Sequence, residues 1–471
     1  MIKKYLLYYF YKLLNIVLKM SKYHFIAIGG AVMHQLALHL KQEGHEISGS
    51  DDAIFEPAKS NLEKAGILPE NIGWNDTVIT PDIDAIILGM HAKADNPELL
   101  KAQDLNLKIY SFPEFFYEQC KAKVRIAVAG SHGKTSITSM LMHLFKNHDA
   151  KFDYLVGAKL DGFQYMVNSA SNNEYAIIEA DEYLTSPLDL RSKFLHYYPN
   201  IAIISGIAWD HINVFPTYDS YLETFRKFIQ SIKKDGYLIY NNNDDELVNL
   251  IKSIDTTHVQ LIPYCSLASE VIDENVYIKY NDKSYKINVF GTHNLSNLNA
   301  AFEVGKIVGF SEESILKSFE TFSGAAKRLE NVFDDQERKI SIYRDFAHAP
   351  SKVIATVNAV REKYQNRKII AFLELHTYSS LQENFIEQYA NSLAKADVKF
   401  LYIDEEALKI KNKEKFDAQW LKKQFNDETI IVVEDKNDIL ELIKNELENN
   451  SVLLLMSSGN LGGLDIQQLM D

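Results

Sequence analysis

Seven consecutive residues, Gly130-Ser131-His132-Gly133-Lys134-Thr135-Ser136, have the makeup of a loop that holds a phosphate chain. Glycines let a backbone curl until successive N–H groups point at phosphate oxygens. Lys134 supplies a cation for the terminal phosphates, and the Thr135 hydroxyl is an oxygen ligand suited to Mg²⁺. The spacing is the compact G-x-x-G-K-[ST] form, because Val128 stands where the longer pattern has its first glycine. Two other polar clusters follow apolar runs. Ile177-Ile178 leads into Glu179-Ala180-Asp181-Glu182, where Glu179 is a candidate ligand for a second Mg²⁺, since hard cations favour oxygen donors. Trp209-Asp210-His211 ends a further run, and His211 is a candidate for metal or phosphate contact. An acidic cluster is commonly only a solvated loop, and a lone histidine commonly packs a core. Placement beside the phosphate loop is what raises both above that reading.

Such a loop needs a strand before it and a helix after it. Residues 124–129 supply the apolar strand, further strands are expected at 175–178 and 201–204, and an amphipathic helix over 218–233. In an open parallel sheet, ligands gather outside the carboxyl ends of the strands, which would bring the three clusters together. Upstream, a strand at 24–28 runs into Gly29-Gly30 and a helix to about 43, with strands ending at Ser48-Gly49-Ser50-Asp51 and lying at 85–88 and 108–110. Downstream come a hairpin over 276–289 turning at Asn281-Asp282 and a helix over 294–308. A last alternating stretch has strands at 340–344, 369–373, 400–403, 430–433 and 452–456, with helices from 351 and over 382–394. The pattern predicts an α/β protein of doubly wound sheets in three domains, 20–122, 123–326 and 327–471, preceded by an extension, 1–19.

A formal charge of −14 over 471 residues leaves no basic excess for a general nucleic-acid binder. Cys120 and Cys265 have neither metal-ligand nor redox spacing, which suits a reducing, cytoplasmic setting. Residues 1–19 are apolar and aromatic, but Lys12 and Asn15 interrupt them and no small-residue cleavage site follows. They are expected to be dispensable, with no stable membrane insertion.

Taken in order, the clusters above with Gly291-Thr292-His293-Asn294-x-x-Asn297, Lys327-Arg328-Leu329-Glu330 and Asp345-Phe346-Ala347-His348-Ala349-Pro350 resemble the Mur ligase family, from about Met20 to the C-terminus. The resemblance implies a Rossmann-like UDP-binding domain, a central P-loop ATPase-type domain and a C-terminal Rossmann-like domain that takes the incoming amine. It implies an ATP- and Mg²⁺-dependent ligase of cell wall biogenesis that activates a carboxylate as an acyl phosphate. Gly130, Ser131, His132, Gly133, Lys134, Thr135 and Ser136 would then bind ATP together with His293, Asn294, Asn297, Arg328 and Asp345. Thr135, Glu179 and His211 would hold metal, and Lys134, Glu179, His211 and Arg328 would serve the chemistry.

Ile26-Ala27-Ile28-Gly29-Gly30-Ala31 and Ser48-Gly49-Ser50-Asp51 resemble the branch that works on UDP-N-acetylmuramate itself, with Gly29, Gly30, Ser50, Asp51 and His91 at the UDP-sugar. Two amines are known in that branch. The loop carrying Arg191 and Lys193, and the 32-position separation of Glu179 and His211, resemble the type that adds the tripeptide L-alanyl-γ-D-glutamyl-meso-diaminopimelate in peptidoglycan recycling. Arg191, Lys193, His348 and His376 would contact that amine. Against this, Leu375-His376-Thr377-Tyr378 looks more like the type that adds L-alanine in biosynthesis, and Ala349 stands where both usually have a second histidine. Tripeptide addition is the expectation and L-alanine addition the alternative. A P-loop kinase would need no third domain bearing Arg328 and Asp345, and a non-catalytic nucleotide-binding module would not keep Lys134, Glu179 and His211 together.

Overall fold

The computed structural model describes residues 20–160, 162–209, 214–410 and 416–470. The extension 1–19 and His211 lie outside the described residues. The chain packs into two compact units: one runs up to Thr138 and resumes over Phe145–Pro263, and the other takes Ser139–Leu144 and Tyr264–Asp471.

The first unit opens with a four-stranded sheet. Lys22–Ile26 lies between Glu46–Ser50 and Ala85–Leu88, Ile109–Ser111 forms the edge, and all pairings are parallel. Parallel strands are covered on both faces, so they read as continuous apolar runs, and all four residues of Ala85–Leu88 are buried. The first strand ends two residues earlier than expected. Ala27 turns to φ +68°, and the N–H groups of Ala27 and Ile28 both donate to Ser50 O, at 2.9 and 3.1 Å.

In a second sheet, Val124–Ala129 lies between Ile201–Ile204 and Tyr175–Glu179, parallel to both. Gly236–Asn241 extends the sheet in parallel beyond Ile201–Ile204, and Phe152–Leu155 does so beyond Tyr175–Glu179. One apolar cluster takes Phe25, Leu36 and Phe116 from the first fold segment with Ile178, Ile204, Phe225 and Phe228 from the second. Arg125, 2% exposed, sits in this unit with its guanidinium spent on carbonyls: Nε donates to Tyr197 O at 2.9 Å and Nη1 to Lys121 O at 2.6 Å. A buried cation is tolerated there because its donors are satisfied.

In the second unit, Ser269–Ile272, Asn275–Tyr280 and Lys283–Ile287 form an antiparallel sheet. Its expected turn is present, with Asn281 and Asp282 at φ +46° and +61°, the pair of left-handed residues that a tight two-residue hairpin needs. A six-stranded sheet begins with Glu330–Asp335 antiparallel to Ile340–Asp345 and continues in parallel through Ser451–Met456, Lys368–Leu375, Val398–Ile403 and Ile431–Val433. The helix expected over 382–394 is broken into Glu383–Ile386 and a 3₁₀ turn, Glu387–Tyr389. Asn391 then adopts φ +59° and donates its N–H to Phe425 O at 2.8 Å, a tertiary bond that stops the helix. Among the described residues, no helix is long and apolar enough to cross a membrane.

Candidate active site

The loop after Val124–Ala129 is shaped by its neighbour strand. Gly130 has φ +124°, and a Cβ there would lie 2.3 Å from Ser205 Oγ and 2.9 Å from Gly206 O, so only glycine fits. Ser131 N–H donates to Gly206 O at 3.0 Å, and Ser205 Oγ donates to the carbonyls of Ala129, at 3.2 Å, and of His132. These bonds fix the loop against the end of Ile201–Ile204. After Gly133, at φ +77°, the helix Lys134–Asn147 begins at once, so its first N–H groups face the loop. Ser131 is 5% exposed, and its Oγ has no partner among the described residues. Ser136, one turn on, is partly buried.

Lys134 Nζ donates to Gly130 O at 2.7 Å and to Glu182 Oε2 at 2.8 Å. Burial works against its charge, but Glu182, Asp181 and Glu179 together hold the ammonium above its ordinary pKa. Thr135 Oγ1 donates to Glu179 Oε1 at 2.8 Å, and Gly157 N–H donates to Glu179 Oε2 at 2.7 Å. A Cβ on Gly157 would stand 2.9 Å from Glu179 Oε1, so the carboxylate has closed onto bare backbone. A hydroxyl and a carboxylate oxygen this close are a donor set that fits a hard divalent cation. The structure thus brings Thr135 and Glu179 together as expected. It also brings in Glu182, for which no role was foreseen, and whose partner lies too far along the chain for spacing to show.

The loop expected to meet extra carboxylates is different in kind. Leu184–Ser186 and Asp189–Ser192 pair as an antiparallel hairpin. Arg191 is spent on its own hairpin, with Nε 3.0 Å and Nη2 2.6 Å from Asp189 Oδ2, and Lys193 Nζ donates to Asp181 Oδ2 at 2.8 Å. His196 Nε2 lies 3.1 Å from Thr185 Oγ1 and 3.3 Å from Asp189 Oδ2, and burial lowers the pKa of its imidazole. The cations that motivated a tripeptide site are therefore matched by carboxylates of the protein itself.

At the N-terminal sheet, Gly29 N–H donates to Asp51 Oδ2 at 2.7 Å, and a Cβ on Gly29 would come within 2.9 Å of that oxygen. Burial is the main cause raising the Asp51 carboxyl pKa, opposed by the Gly29 and Ala53 N–H bonds. Gly30 caps the helix Ala31–Gln42 without a side-chain bond, leaving its first N–H groups open to an anion. Ser50 is buried beside Asp51, and its carbonyl takes the Ala27 and Ile28 N–H bonds; His91 is exposed.

In the second unit, Gly291 has φ +85°, and a Cβ there would meet Ala359 Cβ at 2.3 Å. The helix Thr292–Ile307 starts there, with Asn294 and Asn297 buried and His293 partly so. Asn294 Nδ2 donates to Phe290 O at 3.1 Å. Burial pushes the His293 imidazole below its ordinary pKa, with Asp345 pulling the other way. Asp345 accepts from Leu329 N–H at 3.1 Å and from the Thr356 hydroxyl, which anchors the turn carrying Arg328. Arg328 stacks 4.8 Å over the Phe346 ring, and His348 Nδ1 lies 2.8 Å from Phe346 O. His376 Nδ1 is 3.5 Å from Asp404 Oδ2. Beside it the fully buried Glu374 accepts from Ser457 Oγ, from Leu461 N–H at 3.1 Å and from Gly462 N–H at 2.8 Å, tying down the loop after Ser451–Met456. Glu374 and Asp404 were not foreseen; neither sits in a recognisable spacing.

Three segments match family descriptions in chain order: "Mur ligase family, catalytic domain" over residues 22–123, "Mur ligase middle domain" over 128–305 and "Mur ligase, glutamate ligase domain" over 327–459. A UDP-N-acetylmuramate–L-alanine ligase of Caldicellulosiruptor bescii is 34% identical over 412 residues, 83% of this chain and 86% of the relative. One of Clostridium tetani is 31% identical over 462 residues, 94% and 96% of the two chains. Among solved structures, the UDP-N-acetylmuramate–alanine ligase of Thermotoga maritima superposes with a TM-score of 0.70 at 22% identity, over 95% of this chain and 97% of its own. A murein peptide ligase of Psychrobacter arcticus gives 0.62 at 24% identity, over 96% and 98%. At such identities the structures show a shared fold alone: three family segments on α/β sheets.

The curated relatives correct one expectation. They are named for L-alanine addition, so tripeptide addition in peptidoglycan recycling is overturned as the reading of this chain. In the structure Arg191 pairs with Asp189 and Lys193 with Asp181, within the same loop.

Proposed function

The chain belongs to the Mur ligase family of ATP-dependent ligases, and we propose that within it the reaction joins the carboxylate of UDP-N-acetylmuramate to the amine of L-alanine. The carrying observation is the identity of 31–34% with relatives named for that reaction, across 83–94% of this chain. The carboxylate first attacks the γ-phosphorus of ATP, giving an acyl phosphate and ADP. The uncharged amine then adds to the acyl carbon, and phosphate leaves as the amide forms.

The first step brings a carboxylate against phosphate, negative charge against negative charge, and the residues answer that problem. The Gly130–Ser136 loop would cradle the phosphates, and Lys134 would neutralise charge gathering on the transferred group. Thr135, Glu179 and His211 would hold Mg²⁺, which when bound screens phosphate from carboxylate. His293, Asn294 and Asn297 would meet the adenosine, and Arg328 and Asp345 the phosphate and ribose. Gly29, Gly30, Ser50, Asp51 and His91 would take the UDP-sugar, using a helix N-terminus for the diphosphate. His348 and His376 would face the amine. A nucleotide sugar and ATP as co-substrates would set the reaction in the cytoplasm.

The test supplies ATP, Mg²⁺ and UDP-N-acetylmuramate and compares phosphate release with L-alanine and with glycine or L-serine. L-Alanine should have the highest kcat/KM. Losing the methyl, as in glycine, or adding a hydroxyl, as in L-serine, is worth about 1–3 kcal/mol of discrimination, so preferences of roughly 10-fold or more are expected. Phosphate release that ignores the amine would defeat the assignment.

A further inference from the structure

Glu182 is the carboxylate that the proposed reaction leaves without a task. It has no exposed surface, yet its Oε2 is 2.8 Å from Lys134 Nζ. Its other oxygen lies 3.4 Å from the hydroxyl of Tyr221, a fully buried residue on the helix Tyr218–Gln230. Tyr221 is in turn wedged between Phe215 and Phe225, with ring centroids 5.2 and 5.1 Å away. The carboxylate is therefore held on a rigid apolar support.

An ammonium has three N–H donors in fixed tetrahedral directions. Two on Lys134 are engaged, by Gly130 O at 2.7 Å and by Glu182, and the third has no partner among the described residues. Fixing two directions fixes the third. A lysine without such partners spreads over many rotamers and loses that freedom only on ordering. We propose that Glu182 is a positioning residue that aims the remaining donor of Lys134 at the phosphoryl group being transferred. The proposal rests on the reading of Lys134 as the phosphate-loop cation.

Glu182 also brings a negative charge close to where phosphates must sit. That charge opposes ATP binding even as its hydrogen bond improves alignment, so the two effects part in the kinetics. Glu182→Ala should lower kcat by about tenfold or more, because small misplacements of a group acting in the transition state are that costly. The KM for ATP should stay level or fall, since a repulsive charge has gone. Glu182→Gln, which keeps the length and an acceptor oxygen, should recover kcat to within about threefold of the parent. Glu182→Asp, one methylene short, should behave like the alanine variant despite keeping its charge.

The experiment measures kcat and KM for ATP and for UDP-N-acetylmuramate in the three variants of the full chain, with thermal melts to verify folding. A residue that merely supports the fold would raise KM values and lower kcat together, without rescue by Gln. The proposal is overturned by a raised KM for ATP at unchanged kcat, by Gln failing as badly as Ala in a folded protein, or by Asp matching the parent. If Glu182→Ala does not fold, the Gln and Asp variants alone decide. Lys134→Ala run alongside separates the two layers: substantial turnover there removes the phosphate-loop reading itself, whereas its loss beside an indifferent Glu182→Asp removes only the positioning role.

Discussion

At the scale of single residues, the site is a set of polar and charged groups already paired with one another. Lys134 rests on Glu182, Thr135 on Glu179, Lys193 on Asp181 and Arg191 on Asp189. Those pairs differ in what they can release. The Thr135–Glu179 bond joins two oxygen ligands and can open to a cation, whereas the Arg191–Asp189 pair is a bidentate contact inside one hairpin. Lys134→Ala is accordingly expected to abolish ligation, by on the order of 100-fold or more in kcat, since on the proposed reading it removes the cation at the transferred group. The melting temperature should hardly change, because Lys134 supplies charge rather than packing. Phosphate release at saturating ATP and a thermal melt check the two halves of that expectation.

At the scale of elements, glycines and histidines decide how segments meet. Gly130 lets the loop approach Ser205, and Gly291 lets the helix Thr292–Ile307 start against Ala359; at either position an added Cβ would sit 2.3 Å from a neighbour. The helix Ala31–Gln42 is tied to the strand region after Val167–Asn168 through His39, whose Nε2 lies 3.0 Å from Ser169 N and 3.1 Å from Ser169 O, as acceptor or donor according to its protonation. Burial lowers the His39 pKa below its ordinary 6.5, against the smaller pull of Glu43, Ser169 and Asp153. The folded chain then binds fewer protons than the unfolded chain between the lowered value and 6.5. Stability from His39 is thus complete above that window and is lost as pH falls through it. His39→Asn should flatten the drop in melting temperature between about pH 7.5 and 5.5, a range that brackets ordinary histidine titration. An unchanged pH slope in the variant would show that this contact does not couple to protonation.

At the scale of the whole molecule, chain length and sheet layout match a ligase assembled from three family segments, the first of which starts at residue 22. The first described strand, Lys22–Ile26, starts there too. A chain beginning at Met20 is expected to keep its fold and its full turnover, because that strand finds both of its parallel partners, Glu46–Ser50 and Ala85–Leu88, downstream. Specific activity and melting temperature of the shortened and full chains, measured side by side, test this; a fall in either assigns residues 1–19 a part in the enzyme.

What the residues alone determined was local. Val124–Ala129, Ala85–Leu88 and Ile201–Ile204 form strands over the expected spans, because a buried parallel strand has a continuous apolar pattern that needs no partner to be read. The turn at Gly130–Ser136 between the strand Val124–Ala129 and the helix Lys134–Asn147 was equally plain, since an apolar run, a glycine-rich stretch and a helical pattern in succession are properties of neighbours in sequence. The early end of the first strand at Ala27 and the break before Asn391 were not legible, as each depends on a hydrogen bond to a distant carbonyl, Ser50 O and Phe425 O. The same holds for function. Loop length and cationic residues suggested a peptide amine, but whether Arg191 and Lys193 have charge to offer depends on which carboxylates fold against them. Lys134 and Glu182 are 48 positions apart and meet only when two parallel strands lie side by side. Spacing along a chain specifies which groups are present and on which element; only the tertiary structure decides which charges cancel, and so which remain to act on a substrate.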